Sequence, residues 1–270
     1  MLGVSADFKA ALQQPAKSVS GYLVLKDGTE VRGGNNGDLK KYSIDATGGL
    51  LKTAMSHFTA TLLGNYDTVK GDMLDVYYGV QRNDVFDYML RGKFIITDAS
   101  YSKDGNTTEL EGYDNMLQFQ QAYTSVSSFP ISLFKYLQAV CSGAGVPLEN
   151  ADIYNGSLDI PLDYYVDIPD TTFRDVLEDI CEATGTNARI LPNGNLKLES
   201  IQETGETLTY SNLMKYSLGD KFGGINSLVL SRQPQNDDVY LQDKVDINTP
   251  TNRNILDLNK FHVTYSSEDA

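Results

Sequence analysis

A mixed α+β fold, mainly β, is what this sequence predicts, and three patterns predict it. Alternation of apolar and polar residues recurs through residues 54–113, helical spacing recurs twice between 133 and 185, and Gly- and Asp-rich turns separate the pieces. A chain of 270 residues with 41% hydrophobic and 21% charged residues lies in the ordinary globular range. Since domains commonly run about 100–150 residues, several units are expected rather than one core.

The first unit opens with a short helix, Ala6 to Leu12, and a strand, Tyr22 to Leu25, that turns at Asp27-Gly28, a pair suited to the positive φ of a tight hairpin. Arg32 to Lys41 carries three Gly and two Asn residues and little to bury, so a surface loop is expected there. Next, Ala54, Ser56, Phe58, Ala60 and Leu62 share one face and His57, Thr59 and Thr61 the other, which points His57 away from the core. The same alternation sets Leu74, Val76, Tyr78 and Val80 against Asp75 and Tyr77, and Phe94 and Ile96 against Lys93 and Thr97. Tyr101 and the Asp104-Gly105 turn lead into a strand from Thr107 to Tyr113. Short antiparallel strands at this spacing predict a sandwich or barrel.

Asp114 to Tyr123 has a short helix-like pattern, and the Ser and Thr residues at 124–128 suggest a linker, with a boundary near 125. Leu133, Phe134, Leu137, Val140 and Cys141 then recur at helical spacing, with Pro130 near the start and a stop before Gly143 and Gly145. A second helix puts Phe173, Val176, Leu177, Ile180 and Cys181 on one face, with Asp170, Thr171 or Thr172 as its cap and Gly185 at its end. Its other side carries Asp175, Glu178 and Asp179. Ala188 to Leu191, an Asn193-Gly194 turn and Leu196 to Leu198 form a hairpin that can lie under both helices, giving an α/β module. The helices align at an offset of forty residues, Leu137 with Leu177, Cys141 with Cys181 and Gly145 with Gly185, a pattern that docking on one sheet also produces. Beyond a glycine turn at Gly223-Gly224, strands are expected at Leu228 to Leu230, at Val239 to Leu241 and around Phe261, Val263 and Tyr265.

The 36 acidic residues against 22 basic ones, a formal charge of -14, argue against the clustered Lys and Arg of a nucleic-acid footprint. Two histidines, His57 and His262, and two cysteines in helices, Cys141 and Cys181, give neither zinc-ligand spacing nor a disulfide framework, and assembly in a reducing compartment is expected. Asn236, Asp237 and Asp238 offer oxygen ligands without EF-hand spacing, and Gly33, Gly34 and Gly37 lack the Lys-Ser or Lys-Thr pair of a P-loop. No Gly-x-Ser-x-Gly elbow occurs, and Asn155-Gly156-Ser157-Leu158 has the composition of a turn. Glycoside hydrolysis needs only two well-spaced carboxylates, which abundance hides. No apolar run approaches the ~20 residues of a membrane span, and Asp7, Lys9 and Gln13 stand where a signal peptide would be apolar. No catalytic, cofactor-binding or metal-binding residue is therefore assigned, and no cofactor is expected. The 17 Tyr and 10 Phe fall mostly at strand or helix core positions; with no Trp, core and interface use is favoured over sugar platforms.

Four segments carry a more specific wording: Gly92-Lys93-Phe94-Ile95-Ile96, Glu111-Gly112-Tyr113-Asp114-Asn115-Met116, Thr172-Phe173-Arg174-Asp175-Val176-Leu177 and Gly224-Ile225-Asn226-Ser227. With them, the chain from about Thr53 to Asp243 resembles the baseplate or tail-tip hub proteins of tailed phages and prophages, the N-terminal hub region of tail-associated lysins and prophage tail endopeptidases. The resemblance implies tube-like β-barrel domains with an inserted α/β module: a first barrel over 1–125, the module over 126–215, and the start of a second, incomplete barrel over 216–270. It implies a non-catalytic homotrimer that closes the tail tube as a ring and connects it to the distal tip. Tail tube, distal tail or baseplate proteins and a tape measure protein are the implied partners, with no specific nucleic acid binding and no membrane segment. The implied location is the virion tail tip, after assembly in the host bacterial cytoplasm. Family members often continue into a spike, fibre or peptidoglycan-degrading region, which keeps two alternatives in view: a cell-wall-degrading enzyme and a cell-wall carbohydrate-binding module.

Overall fold

The computed structural model describes residues 6–12, 18–34, 36–82, 85–125, 128–149, 161–165 and 170–200, and four further strands at 227–231, 242–246, 253–257 and 261–263. The expectations for residues 126–127, Asn155-Gly156-Ser157-Leu158, Gly223-Gly224, Asn236 to Asp238, Val239 to Leu241 and Tyr265 lie outside the described residues.

A mainly antiparallel sheet organises the first part. Its strands are β1 (Val19–Val24), β2 (Glu30–Arg32), β3 (Leu39–Thr47), β4 (Thr53–Leu63), β5 (Met73–Arg82), β6 (Val85–Ser102) and β7 (Thr107–Tyr113). The ladders run β2-β1-β5-β6-β7-β4-β3. The alternating positions build the core on one face: Leu23, Phe58, Leu62, Leu74, Val76, Phe94 and Ile96 are each at most 2% exposed. Burying a large apolar side chain stabilises by about 1.5–3 kcal/mol each, so this face fixes the register. β6 is long because its first half pairs with β5 and its second half with β7, and register shifts at Val76/Tyr77 and Ile96/Asp98 let it bend between them. At the far end of the β5–β6 hairpin a short helix, α1 (Ala6–Leu12), lays Phe8 and Ala11 on Val80.

The second core lies between α2 (Leu133–Ala144), α3 (Phe173–Thr184) and a hairpin of two strands. Each helix ends on a glycine in the left-handed region, Gly145 at φ +74 and Gly185 at φ +65, where a side chain would be strained. Of the expected caps for α3, Thr172 is the one used: its hydroxyl accepts from the Asp175 N–H at 3.2 Å, while Asp175 accepts from the Thr172 N–H at 2.8 Å. After β8 (Ile131–Ser132) and β9 (Pro161–Tyr165), the hairpin strands are β10 (Thr186–Ile190) and β11 (Leu196–Ser200). Farther on, β12 (Ser227–Ser231) pairs with β13 (Gln242–Asp246) and β14 (Arg253–Asp257), and β15 (Phe261–Val263) pairs with β9.

Five expectations are corrected. The surface loop at Arg32 to Lys41 ends inside β3, with Leu39 only 4% exposed. A register shift between Leu39 and Lys41 breaks the alternation that would have marked the strand. The long first half of β6, from Val85, was not expected at all, since most of its residues are half-buried on both faces. Asp179, placed on the side of α3 away from its apolar face, is only 9% exposed. The hairpin under the helices is also part of the main sheet, because β10 runs parallel to the start of β4 through Ala188↔Thr53 and Arg189↔Ala54. Finally, the sheet is not closed into a barrel: among the described residues no ladder joins β3 to β1 or β2, and the backbone bridge between the two ends is the isolated pair Gly33↔Leu39.

Candidate functional site

The reactive side chains are held in structural roles. Burial pushes the Cys141 and Cys181 thiols up to about 12, so neither offers a thiolate near neutrality. His57 lies on the outer face of β4, with Nε2 3.1 Å from Glu111 and its ring stacked 4.9 Å from Tyr113. The Tyr113 hydroxyl donates to the same Glu111 oxygen at 3.0 Å, which raises the phenol above its ordinary range. These three groups stand on an exposed sheet face, with Asp45 of β3 in register opposite His57. Asp114 is a buried carboxylate, accepting from the Ser56 and Met116 N–H groups; burial raises it and those bonds act the other way. It ties β4 to the 3-10 turn at Asn115–Gln120. Among the described residues no group of three or more His, Cys, Asp or Glu is placed to hold a metal.

The aromatic residues of the outer face are engaged with one another. Tyr22 stacks on Tyr77 at 4.5 Å, meets Tyr88 edge-on at 4.8 Å, and has the Arg32 guanidinium 4.7 Å from its ring centre. Tyr88 lies over Gly79, where an added Cβ would meet the ring at 2.5 Å.

The distinctive geometry is the open seam. β1 pairs with β5 along its whole length but with β2 only from Tyr22 to Val24, so Val19 to Gly21 face across toward β3. There the Gly33 N–H donates to the Gly21 carbonyl at 2.8 Å and Gly33 bridges to Leu39, closing one end of the gap. Inside, the Tyr42 ring crosses from β3 to the bare Gly21 backbone, where a Cβ would lie 2.5 Å from the ring. Burial pushes the Tyr42 phenol up. A cavity of about 690 Å³ opens beyond it, lined by Val19 to Gly21, Gly33 and Gly34, the β3 residues Leu39 to Ile44, Tyr78, Met89, Arg91 and Leu12 of α1.

Three cations stand on this seam. Lys26, Arg32, Lys52, Lys70, Arg82, Lys93, Arg174, Arg189 and Lys197 each pair with a carboxylate. Lys40, Lys41 and Arg91 have no carboxylate partner among the described residues; Lys40 donates to the Gly37 carbonyl at 2.9 Å. Sequence reasoning placed Lys40 and Lys41 in a loop and missed the seam. The available signal was a pair of cations beside three glycines in an acidic chain.

No protein-family model and no curated protein matches the chain. Solved structures do match in fold. The 43 kDa tail protein of prophage MuSo2 from Shewanella oneidensis superposes over 87% of this chain and 72% of its own, with a TM-score of 0.55 and 14% identity. The tail protein from Neisseria meningitidis MC58 matches over 89% of this chain and 71% of its own, with a TM-score of 0.55 and 13% identity. Prophage tail protein gp18 from Listeria monocytogenes EGD-e matches over 87% and 71%, with a TM-score of 0.52 and 10% identity. At these identities the likeness is one of fold.

Proposed function

We propose that the chain is a non-catalytic structural subunit of a phage or prophage tail and, more finely, a hub protomer whose ring closes the tail tube and connects it to the distal tip. The observation that carries this reading is the fold shared over 87–89% of the chain with three tail proteins, two of them named as prophage proteins. The hub, the trimer, the tube-like use of the first sheet and the partners among tube and tip proteins are the finer part, supported by the resemblance of the four sequence segments. The two larger cores, one built from residues 23–110 and the other from 116–198, support two units; the division at about 125 is part of the proposal, with Met116 and Phe119 of the first unit packing in the second core. The module from 126 to 215 and the second, partial barrel from 216 belong to the same proposal.

Open strand edges favour assembly, because an unpaired edge is a template that neighbouring chains satisfy. Light scattering on the purified chain, alone and mixed with tail tube subunits, tests the reading; a trimer that joins tube subunits is expected. A strict monomer that never associates with them would overturn it. Clearing of purified peptidoglycan by this chain would overturn the non-catalytic part.

A further inference from the structure

We infer that the open seam is a docking site for an extended acidic polypeptide segment, added as a strand along the free edge of β3. Three independent features converge there. First, β3 is paired with β4 along one side, while beyond Leu39 its other edge has no ladder partner among the described residues. Backbone N–H and C=O groups demand partners, and an extended peptide supplies them in register. Second, the cavity of about 690 Å³ beside that edge has apolar walls from Val19, Ile44, Tyr78 and Met89, so it can take alternate side chains of an added strand. That volume lies within the range of about 300–1,000 Å³ typical of binding pockets. Third, Lys40, Lys41 and Arg91 line the same cavity without carboxylate partners among the described residues, in a chain of formal charge -14, which makes the seam a local exception to an acidic molecule.

Together these features select the occupant. A small anion would use the cations but neither the edge nor the apolar walls, an amphiphile would leave the edge unpaired, and a basic peptide would meet three like charges. An extended segment with carboxylates on one face and small apolar side chains on the other uses all three. The inference stands on the seam and does not require the tail reading.

The test uses the full chain and a labelled octapeptide alternating glutamate with valine, followed by fluorescence anisotropy at low and high salt. Binding that weakens with salt is expected, and K40E/K41E/R91E should weaken it about tenfold or more while K103E/K135E leaves it unchanged. The same peptide N-methylated at alternate backbone nitrogens, and a lysine–valine peptide, should each bind about tenfold more weakly. No binding of the glutamate–valine peptide, equal binding of the methylated or lysine peptide, or indifference to charge reversal would overturn the inference. Dodecyl phosphate binding at the seam without peptide binding would overturn it in favour of an amphiphile site. If the charge-reversed chain fails to fold, as read from its melting curve, the methylated-peptide comparison on the unaltered chain decides. A trimer that ignores the peptide sinks this inference and leaves the tail reading; a monomer that binds it does the reverse.

Discussion

Glu199 is the side chain whose surroundings matter most to how stability depends on pH. Arg189 reaches it with two bonds of 2.7 Å and Lys197 with one of 2.8 Å, and the Arg189 bonds are the main reason its carboxyl is held down at about 2. A carboxylate depressed on folding contributes stability above its unfolded value, near 4.3, and that contribution is lost as pH falls toward 2. Because the three side chains remain 21–37% exposed, solvent screening limits the effect to on the order of 1 kcal/mol. The melting temperature of the unaltered chain should therefore fall more between pH 6 and pH 3 than that of E199Q, in matched thermal melts. Equal falls would remove Glu199 from the account. Neither the pair nor its strength was legible in sequence, since Arg189 and Glu199 become neighbours only through the hairpin register Asn187↔Glu199, Ala188↔Leu198.

At the level of elements, local chemistry was read well where periodicity and caps agree. α3 shows this: its apolar stripe, its acidic residue three positions after the cap and its terminal glycine each specify the same helix. Thr172→Ala should cost about 1 kcal/mol by leaving helix N–H groups without their acceptor, seen as a lower denaturant midpoint with unchanged slope. A midpoint within error of the unaltered chain would show that the capping box contributes nothing. α2 and α3 share their spacing and glycine ends because each buries one apolar stripe in the same core. β3 was missed for the opposite reason. It packs only one face, its other residues are polar, and the shift at Leu39/Lys41 interrupts the period.

For the whole molecule, the question is how two cores hold together. β10 meets β4 over only two residue pairs, and the joint is reinforced by an ion and hydroxyl cluster on α3. Glu178 accepts from Thr53 at 2.7 Å and lies 3.3 Å from Lys52 and 3.4 Å from Arg174, while Lys52 also reaches Glu182 at 2.6 Å. Hydrogen bonds to charged groups contribute about 1.5–3 kcal/mol when dry, and partial exposure here puts the cost of Glu178→Ala nearer 1–2 kcal/mol. Hydrogen exchange should show that loss in α3 and the β10–β11 hairpin while β5 and β6 keep their protection. A uniform loss across both cores would mean that the joint is not the weak point.

The sequence by itself determined the mainly β character, the two helices with their glycine ends, the core-facing positions of β4, β5 and the second half of β6, and the apolar stripes of both helices. These follow from periodicity and caps, which are properties of neighbouring residues. Only the tertiary structure decided that β10 continues the main sheet, that Asp179 is covered, and that the sheet stays open with three cations along its seam that meet no carboxylate among the described residues. Those outcomes depend on which edges meet across long stretches of chain, and an edge's backbone groups look the same in sequence whether or not they find a partner.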